Sequence, residues 1–259
     1  MANDTFYLLA PPEQAPALRP WDAFPALFTC KLGEGGELLC RRDAGAVRGG
    51  VLVLSDGPGA LTGPADRLAL TIIKECLRRG GRGLLLDFDA RDGGRGELIV
   101  RLARLLRGQG ITLFVPEYYA SAAPEGRVLI SSALSGGTLE DRLAEALARF
   151  GPDRTVLALE RAAEEFSLPA PDGCGTPLSD ARLREMREGL RPSVWFSEPL
   201  CARYFTRQTE TGEVRFVLFD DGETLRRKVE RARRVGLRRF LLPWAEVREE
   251  PGAFGLRRR

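Results

Sequence analysis

The chain has 259 residues, with a formal net charge of only +3 and no histidine. That length can bury a full core and suits one α/β barrel of roughly 250 residues. The missing histidine excludes Ser-His-Asp and Cys-His catalysis and the commonest metal ligand, so acid–base chemistry must run on Asp, Glu, Tyr, Lys or Cys.

The amino-terminal stretch Met1 to Tyr7 has no basic segment followed by an apolar core, and no apolar run approaches the roughly 18 residues of a membrane span. Cytoplasmic synthesis without a signal peptide, and no membrane insertion, are the expectations. Thr5–Ala10 is the first strand candidate, followed by a loop carrying Pro11, Pro12, Pro16 and Pro20. Ala26–Cys30 and Glu37–Cys40 flank Gly33-Glu34-Gly35-Gly36, which reads as a β-hairpin. Val51–Ser55 is a buried strand ending in Asp56-Gly57-Pro58-Gly59, whose spacing fits neither phosphate-binding glycine motif, so a plain strand-to-helix turn is expected. Pro64–Arg79 is an amphipathic helix with Leu68, Ile72, Ile73, Cys76 and Leu77 on one face, closed by Gly80-Gly81.

The stretch Arg82 to Asp89 comes next, and the rest of the chain is organised around it. In a strand, alternate residues share a face, so Leu85, Asp87 and Asp89 point one way while Leu84, Leu86 and Phe88 point the other. An apolar run of this kind reads as a parallel strand covered on both faces. Its C-terminal end is where barrels and open α/β sheets carry their chemistry. Asp87 and Asp89 are therefore candidate site residues.

A second amphipathic helix is expected over Gly96–Arg107, then a strand over Ile111–Val115 ending in Pro116-Glu117-Tyr118-Tyr119. No helix fits before the strand Arg127–Ser132. A helix over Thr138–Phe150 and a strand over Thr155–Leu159, closed by Glu160, follow. Beyond the Pro- and Gly-rich loop Pro169 to Pro177 come a helix over Leu178–Leu190 and a hairpin formed by Arg203–Thr206 and Val214–Phe219. A helix over Gly222–Val235 leads to the strand Arg239–Pro243, which delivers Trp244. Alternation of strand and helix at this pace means a parallel α/β sheet. The expected fold is a partly degenerate (β/α)8 barrel forming a single domain over residues 1–259, with a hairpin insertion at about 201–219.

Arginine supplies nearly all the positive charge and lies mostly on helix faces such as Arg226, Arg227, Arg231, Arg233 and Arg234, without interleaved aromatics; nucleic acid is not expected as a partner. The five cysteines, Cys30, Cys40, Cys76, Cys174 and Cys201, have wide spacings without a CxxC pair, which suits a reducing compartment and argues against a structural zinc site. Neither a metal nor a cofactor is expected.

The chain resembles glycoside hydrolase family 18, especially its spore-associated peptidoglycan hydrolases, in two segments. Arg82 to Asp89 lies without a gap on the family's fourth-strand pattern D-x-x-D-x-D-x-E. Tyr204-Phe205-Thr206, Thr211-Gly212-Glu213, Val217 to Asp221, Leu225 to Lys228 and Gly236 to Trp244 resemble the family's hairpin, last helix and tryptophan-bearing eighth strand. The resemblance implies a (β/α)8 barrel that binds N-acetylglucosamine-containing glycans, peptidoglycan or chitin-like, and cleaves them with the substrate's own acetamido group as nucleophile, an exception to the two-carboxylate scheme. It also implies a spore setting. In the family the motif Glu gives the proton, the preceding Asp orients the acetamido group, a Tyr after the sixth strand helps hold it, and the tryptophan floors the sugar subsite.

Here the departures matter. Asp87 matches the third motif Asp, but Arg82 and Leu85 occupy the first two Asp positions and Asp89 stands where the proton donor is Glu. An Asp carboxyl falls about 1.5 Å short of a Glu, while proton transfer needs contact of roughly 2.6–3.2 Å, and such a displacement can cost about a hundredfold in rate. Where the family has its Tyr, this chain has Ser131, Ser132, Ala133 and Leu134. The candidate site is thus Asp87 and Asp89 as catalytic carboxylates, with Trp244, Glu117, Tyr118, Ser132 and Glu160 as substrate-binding groups. Two readings stay open: a glycan-acting barrel with weak or lost hydrolysis, and a pseudoenzyme barrel serving as a sporulation-associated scaffold for a protein partner.

Overall fold

A computed structural model describes residues 4–42, 45–168 and 175–259; Cys174 and most of the loop from Pro169 lie outside the described residues. In chain order the elements are β1 (Thr5–Ala10), α1 (Ala15–Leu18), β2 (Phe24–Leu32), β3 (Leu38–Cys40), β4 (Val51–Ser55), α2 (Ala65–Arg78), β5 (Gly83–Asp87), α3 (Gly93–Leu106), β6 (Thr112–Pro116), β7 (Arg127–Ser131), α4 (Leu139–Phe150) and β8 (Thr155–Ala158). They continue with β9 (Ala163–Ser167), β10 (Thr176–Pro177), α5 (Asp180–Leu190), β11 (Trp195–Ser197), β12 (Ala202–Gln208), β13 (Val214–Phe219), α6 (Gly222–Arg234), β14 (Arg239–Pro243) and α7 (Trp244–Val247).

The chain forms two compact units. The first comprises residues up to 130, 150–158 and 238–259. Its sheet runs β1-β14-β8-β7-β6-β5-β4-β2-β3, and β1 also pairs with β2, so the parallel strands close into an eight-stranded barrel with β3 outside the ring. Helices separate β4 from β5, β5 from β6 and β7 from β8, and α6 precedes β14, as a (β/α)8 barrel requires. Between β6 and β7 there is only a 3-10 turn, Glu117–Tyr119, matching the reduced crossover expected there.

Alternation along the strands sorts the core. Tyr7, Ala26, Val51, Val53, Leu85, Phe114, Val156, Ala158 and Leu241 fill the barrel interior. Leu52, Leu54, Leu84, Leu86 and Phe88 pack outward against Ile72, Ile73 and Cys76 of α2 and Leu98, Ile99 and Leu102 of α3. Gly83 opens β5 because a Cβ there would lie 2.9 Å from Val51 Cγ2 and 3.1 Å from Phe114 Cε2. The two outward helices stay amphipathic because only these stripes meet the sheet.

The hairpin β2–β3 is antiparallel, with Cys30 directly opposite Cys40, and the two form a disulfide. Sequence spacing assigned all five cysteines to a reducing compartment and gave no sign of this pair, because the opposition depends on hairpin register. Cys76 and Cys201 are buried free thiols.

The second unit spans residues 131–149 and 159–237. The expected hairpin β12–β13 is present, but it is the centre of a five-stranded antiparallel sheet, β10-β9-β13-β12-β11. The insertion is therefore larger than 201–219. Strand β9, Ala-Glu-Glu-Phe-Ser, has no apolar alternation to announce it and is held by its ladder to β13. One sheet face, Phe205, Val217 and Phe219, packs on Leu183 and Met186 of α5; the other carries Phe166, Ala202 and Leu218. At the start of α6, Asp220 accepts from Lys228 Nζ at 2.6 Å, with both side chains fully buried, and also from Thr224 Oγ1 at 2.7 Å and the Ala162 amide at 2.8 Å.

Candidate functional site

At the C-terminal end of the first unit's barrel, the groups that converge come from the ends of β2, β4, β5 and β6. Leu84 and Leu86 are tied down by the outer core, which leaves Asp87, the last residue of β5, on the barrel side; Asp89 follows in the loop, and both carboxylates are exposed. Asp87 is in register with Ser55, and Ser55 with Lys31, so one row of polar residues crosses three adjacent strands.

The loop bearing Asp89 is pinned by Asp56, the residue after β4. One carboxylate oxygen of Asp56 accepts from the amides of Asp89 at 3.1 Å and Ala90 at 3.0 Å. The other accepts from the Gly57 amide at 2.9 Å and from Arg95 Nε at 2.7 Å. Burial alone would push the Asp56 carboxyl up, but the Ala90 amide, the Arg95 guanidinium and the Gly57 amide together outweigh it and hold it below the usual carboxylate range. Arg95 is 1% exposed. Its guanidinium also pairs with Asp92, which caps α3 through the Arg95 amide, and donates to the carbonyls of Gly57 at 2.8 Å and Gly59 at 3.2 Å. A single buried cation thus holds the loops after β4 and β5 together.

Two tyrosines after β6 brace the same loop. The Tyr118 hydroxyl donates to the Phe88 carbonyl, and the Arg91 guanidinium lies 4.4 Å from its ring centroid. Burial, with the negative charge of Asp89 adding to it, pushes the Tyr118 phenol up to about 12, so it is a fixed donor at neutral pH. Tyr119 donates to the Ala90 carbonyl at 2.9 Å and accepts from the Asp92 amide at 3.1 Å. Glu117 is half-buried in the 3-10 turn that carries both rings.

Of the residues expected from sequence, the structure brings Asp87, Asp89, Glu117 and Tyr118 to this mouth. Trp244 is only 7% exposed, and its ring centroid lies 6.1 Å from that of Trp21; its faces are used in packing. Ser132 and Glu160 belong to the second unit, where they hold each other: the Ser132 hydroxyl donates to the Glu160 carbonyl at 3.1 Å and accepts from the Glu160 amide at 2.9 Å. The Ser131 hydroxyl donates to the Glu160 carboxylate. Sequence reading missed Asp56, Asp92, Arg95 and Tyr119. Asp56 carried a usable signal, a carboxylate directly after a buried strand, the same placement that singled out Asp87. Among the described residues one group of thiols and carboxylate has metal-ligand spacing, Cys30, Cys40 and Glu75, and its sulfurs are joined in the disulfide.

Chemically, the mouth offers two exposed carboxylates, Asp87 at the end of β5 and Asp89 in the pinned loop that follows, able to accept hydrogen bonds from hydroxyl or amide groups, beside a lysine and a serine hydroxyl.

No family model and no curated protein matches the chain in sequence. Solved structures do match in fold. A chitinase from Chromobacterium violaceum is 14% identical, with a TM-score of 0.63 over 95% of this chain and 98% of that one. The class V chitinase of Nicotiana tobaccum is 13% identical, with a TM-score of 0.62 over 98% of this chain and 99% of that one. The spore cortex-lytic enzyme SleL of Bacillus cereus is 14% identical, with a TM-score of 0.63 over 93% of this chain and 70% of that one. A GH18 chitinase from Cycas revoluta, solved with (GlcNAc)3, superposes with a TM-score of 0.57 at 13% identity. The chain therefore has the barrel fold found in chitinases of glycoside hydrolase family 18 and in a spore cortex-lytic enzyme.

Proposed function

We propose that the C-terminal mouth of the barrel binds an N-acetylglucosamine-containing glycan through Asp87 and Asp89, with weak or lost hydrolysis. The observation that carries this reading is the exposed carboxylate pair at the end of β5, held by the Asp56–Arg95 clamp, on a fold shared with glycan-cleaving enzymes. Asp87 would take the acetamido group and Asp89 the leaving oxygen. The short reach of Asp89 and the use of the Tyr118 hydroxyl on the Phe88 carbonyl are what favour binding over turnover.

The test measures both. Chito-oligosaccharides and spore-cortex peptidoglycan fragments are titrated against the parent, Asp87→Asn and Asp89→Asn, and released reducing ends are assayed in parallel. Binding that is lost in Asp87→Asn, with turnover slight or absent, supports the reading. No binding by the parent sends the assignment to the scaffold alternative. The spore setting is a further proposal, tested by detecting the protein in sporulating cells.

A further inference from the structure

At the end of β2, Cys30 and Leu32 pack outward in the core, so Lys31 between them points to the barrel side. It is in register with Ser55, which is in register with Asp87. With adjacent strands roughly 4.8 Å apart, Lys31 and Asp87 start roughly 10 Å apart along the row, a separation that a disaccharide bridges. Lys31 is exposed and makes no ion pair among the described residues. At that distance solvent and salt screen most of the Asp87 charge.

Beside it lies a cavity of about 680 Å³ along the β2–β3 hairpin, whose lining includes Phe28, Thr29, Lys31, Leu39, Arg41 and Ser55 together with the Cys30–Cys40 disulfide, within the usual size range of ligand pockets. The Thr29 hydroxyl is buried without a hydrogen-bond partner. Arg41 already faces Glu13 at 3.1 Å, so Lys31 is the cation of this lining left to meet a ligand. We propose that Lys31 and this cavity accept an acidic substituent, a carboxylate or a phosphate, on the sugar next to the one held at Asp87. The inference rests on the glycan reading above and adds a preference for acidic over neutral glycans. Apolar walls from Phe28 and Leu39 beside the Lys31 ammonium, with Arg41 paired to Glu13 at the rim, suit a short organic acid arm on the sugar.

The test is calorimetric titration of the full chain with matched tetrasaccharides: the neutral N-acetylglucosamine tetramer, an alternating N-acetylglucosamine/N-acetylmuramic acid tetramer as free acid and as methyl ester, and a 6-phosphorylated N-acetylglucosamine tetramer. The expected result is about 5–10-fold tighter binding of an acidic form over its neutral counterpart, roughly the strength of one ordinary hydrogen bond, because the pair forms at an exposed, screened ammonium. Whichever acid shows it identifies the substituent. Lys31→Met should reduce that ratio to about one and leave affinity for the neutral tetramer within about twofold, since Lys31 is exposed and its loss should not disturb the fold; an unchanged thermal midpoint checks this. Neutral binding with no acid preference in the parent, or a preference that persists in Lys31→Met, overturns this inference alone. No binding of any tetramer overturns the glycan reading and this inference with it.

Discussion

Asp56 holds Asp89 by its backbone: the Asp56 carboxylate accepts the Asp89 amide across the gap between two strand ends, at 3.1 Å. The candidate donor is thus fixed by a neighbour that never touches its side chain. Asp56→Asn keeps the shape but leaves Arg95, 2% exposed at its side chain, with only Asp92 as counter-charge. The expected cost is about 2–4 kcal/mol in urea denaturation, with a loss of oligosaccharide affinity although Asp87 and Asp89 are intact.

Acid should weaken the first unit through the same group. Asp56 titrates lower in the folded protein than in the unfolded chain, and Glu75, bonded to Arg78 and Arg79, is lowered to about 2. For a depressed carboxyl the stabilisation is complete above the unfolded value, roughly pH 4–4.5, and is lost as pH falls toward the folded one. The urea midpoint should therefore fall steadily between about pH 4.5 and 2, and Asp56→Asn should flatten part of that fall.

In the second unit the test is Lys228. Removing it as Lys228→Met leaves the Asp220 carboxylate fully buried without its cation, and the expected loss is about 3–5 kcal/mol. Lys228→Met with Asp220→Asn should recover much of it, because the charge is gone and the side-chain amide can still accept from the Ala162 amide through its oxygen while its NH2 donates to the Thr224 hydroxyl. Thermal melts of the two variants decide this.

Gly83→Ala places a Cβ against Val51 and Phe114. Overpacking at the floor of β5 should cost about 1–3 kcal/mol. The mouth is at the other end of the strand, so affinity for oligosaccharides should survive in the folded fraction.

The barrel was legible because its signals are local. Leu84, Leu86 and Phe88 against Leu85, Asp87 and Asp89 is a period-two pattern, and the α2 stripe Ile72, Ile73 and Cys76 is a helical one. Strand β9 was not legible, because Glu164 and Glu165 carry no alternation and the strand exists by pairing with β13 and β10. Asp87 and Asp89 could be found from position alone. The Arg95 clamp could not, since it joins residues 39 apart in sequence that meet only after β4 and β5 are in register. Trp244 is the opposite case: its place at a strand end suggested an open platform, while its 7% exposure and its contact with Trp21, far away in the chain, could not be read from sequence.

The short strand β3 has a consequence for solubility. Closure by β1 covers β2 only from Phe24 to Leu27, while β2 runs on to Leu32. Beyond the seam, the free edge of β2 would offer unpaired amides and carbonyls next to Leu32, the kind of edge onto which a second chain can add a strand. Strand β3 occupies that edge from Cys30 to Leu32, and the Cys30–Cys40 bond keeps it from fraying away. The hairpin therefore acts as a guard against intermolecular sheet growth, and a reducing environment would lower that guard where β2 runs on past β1.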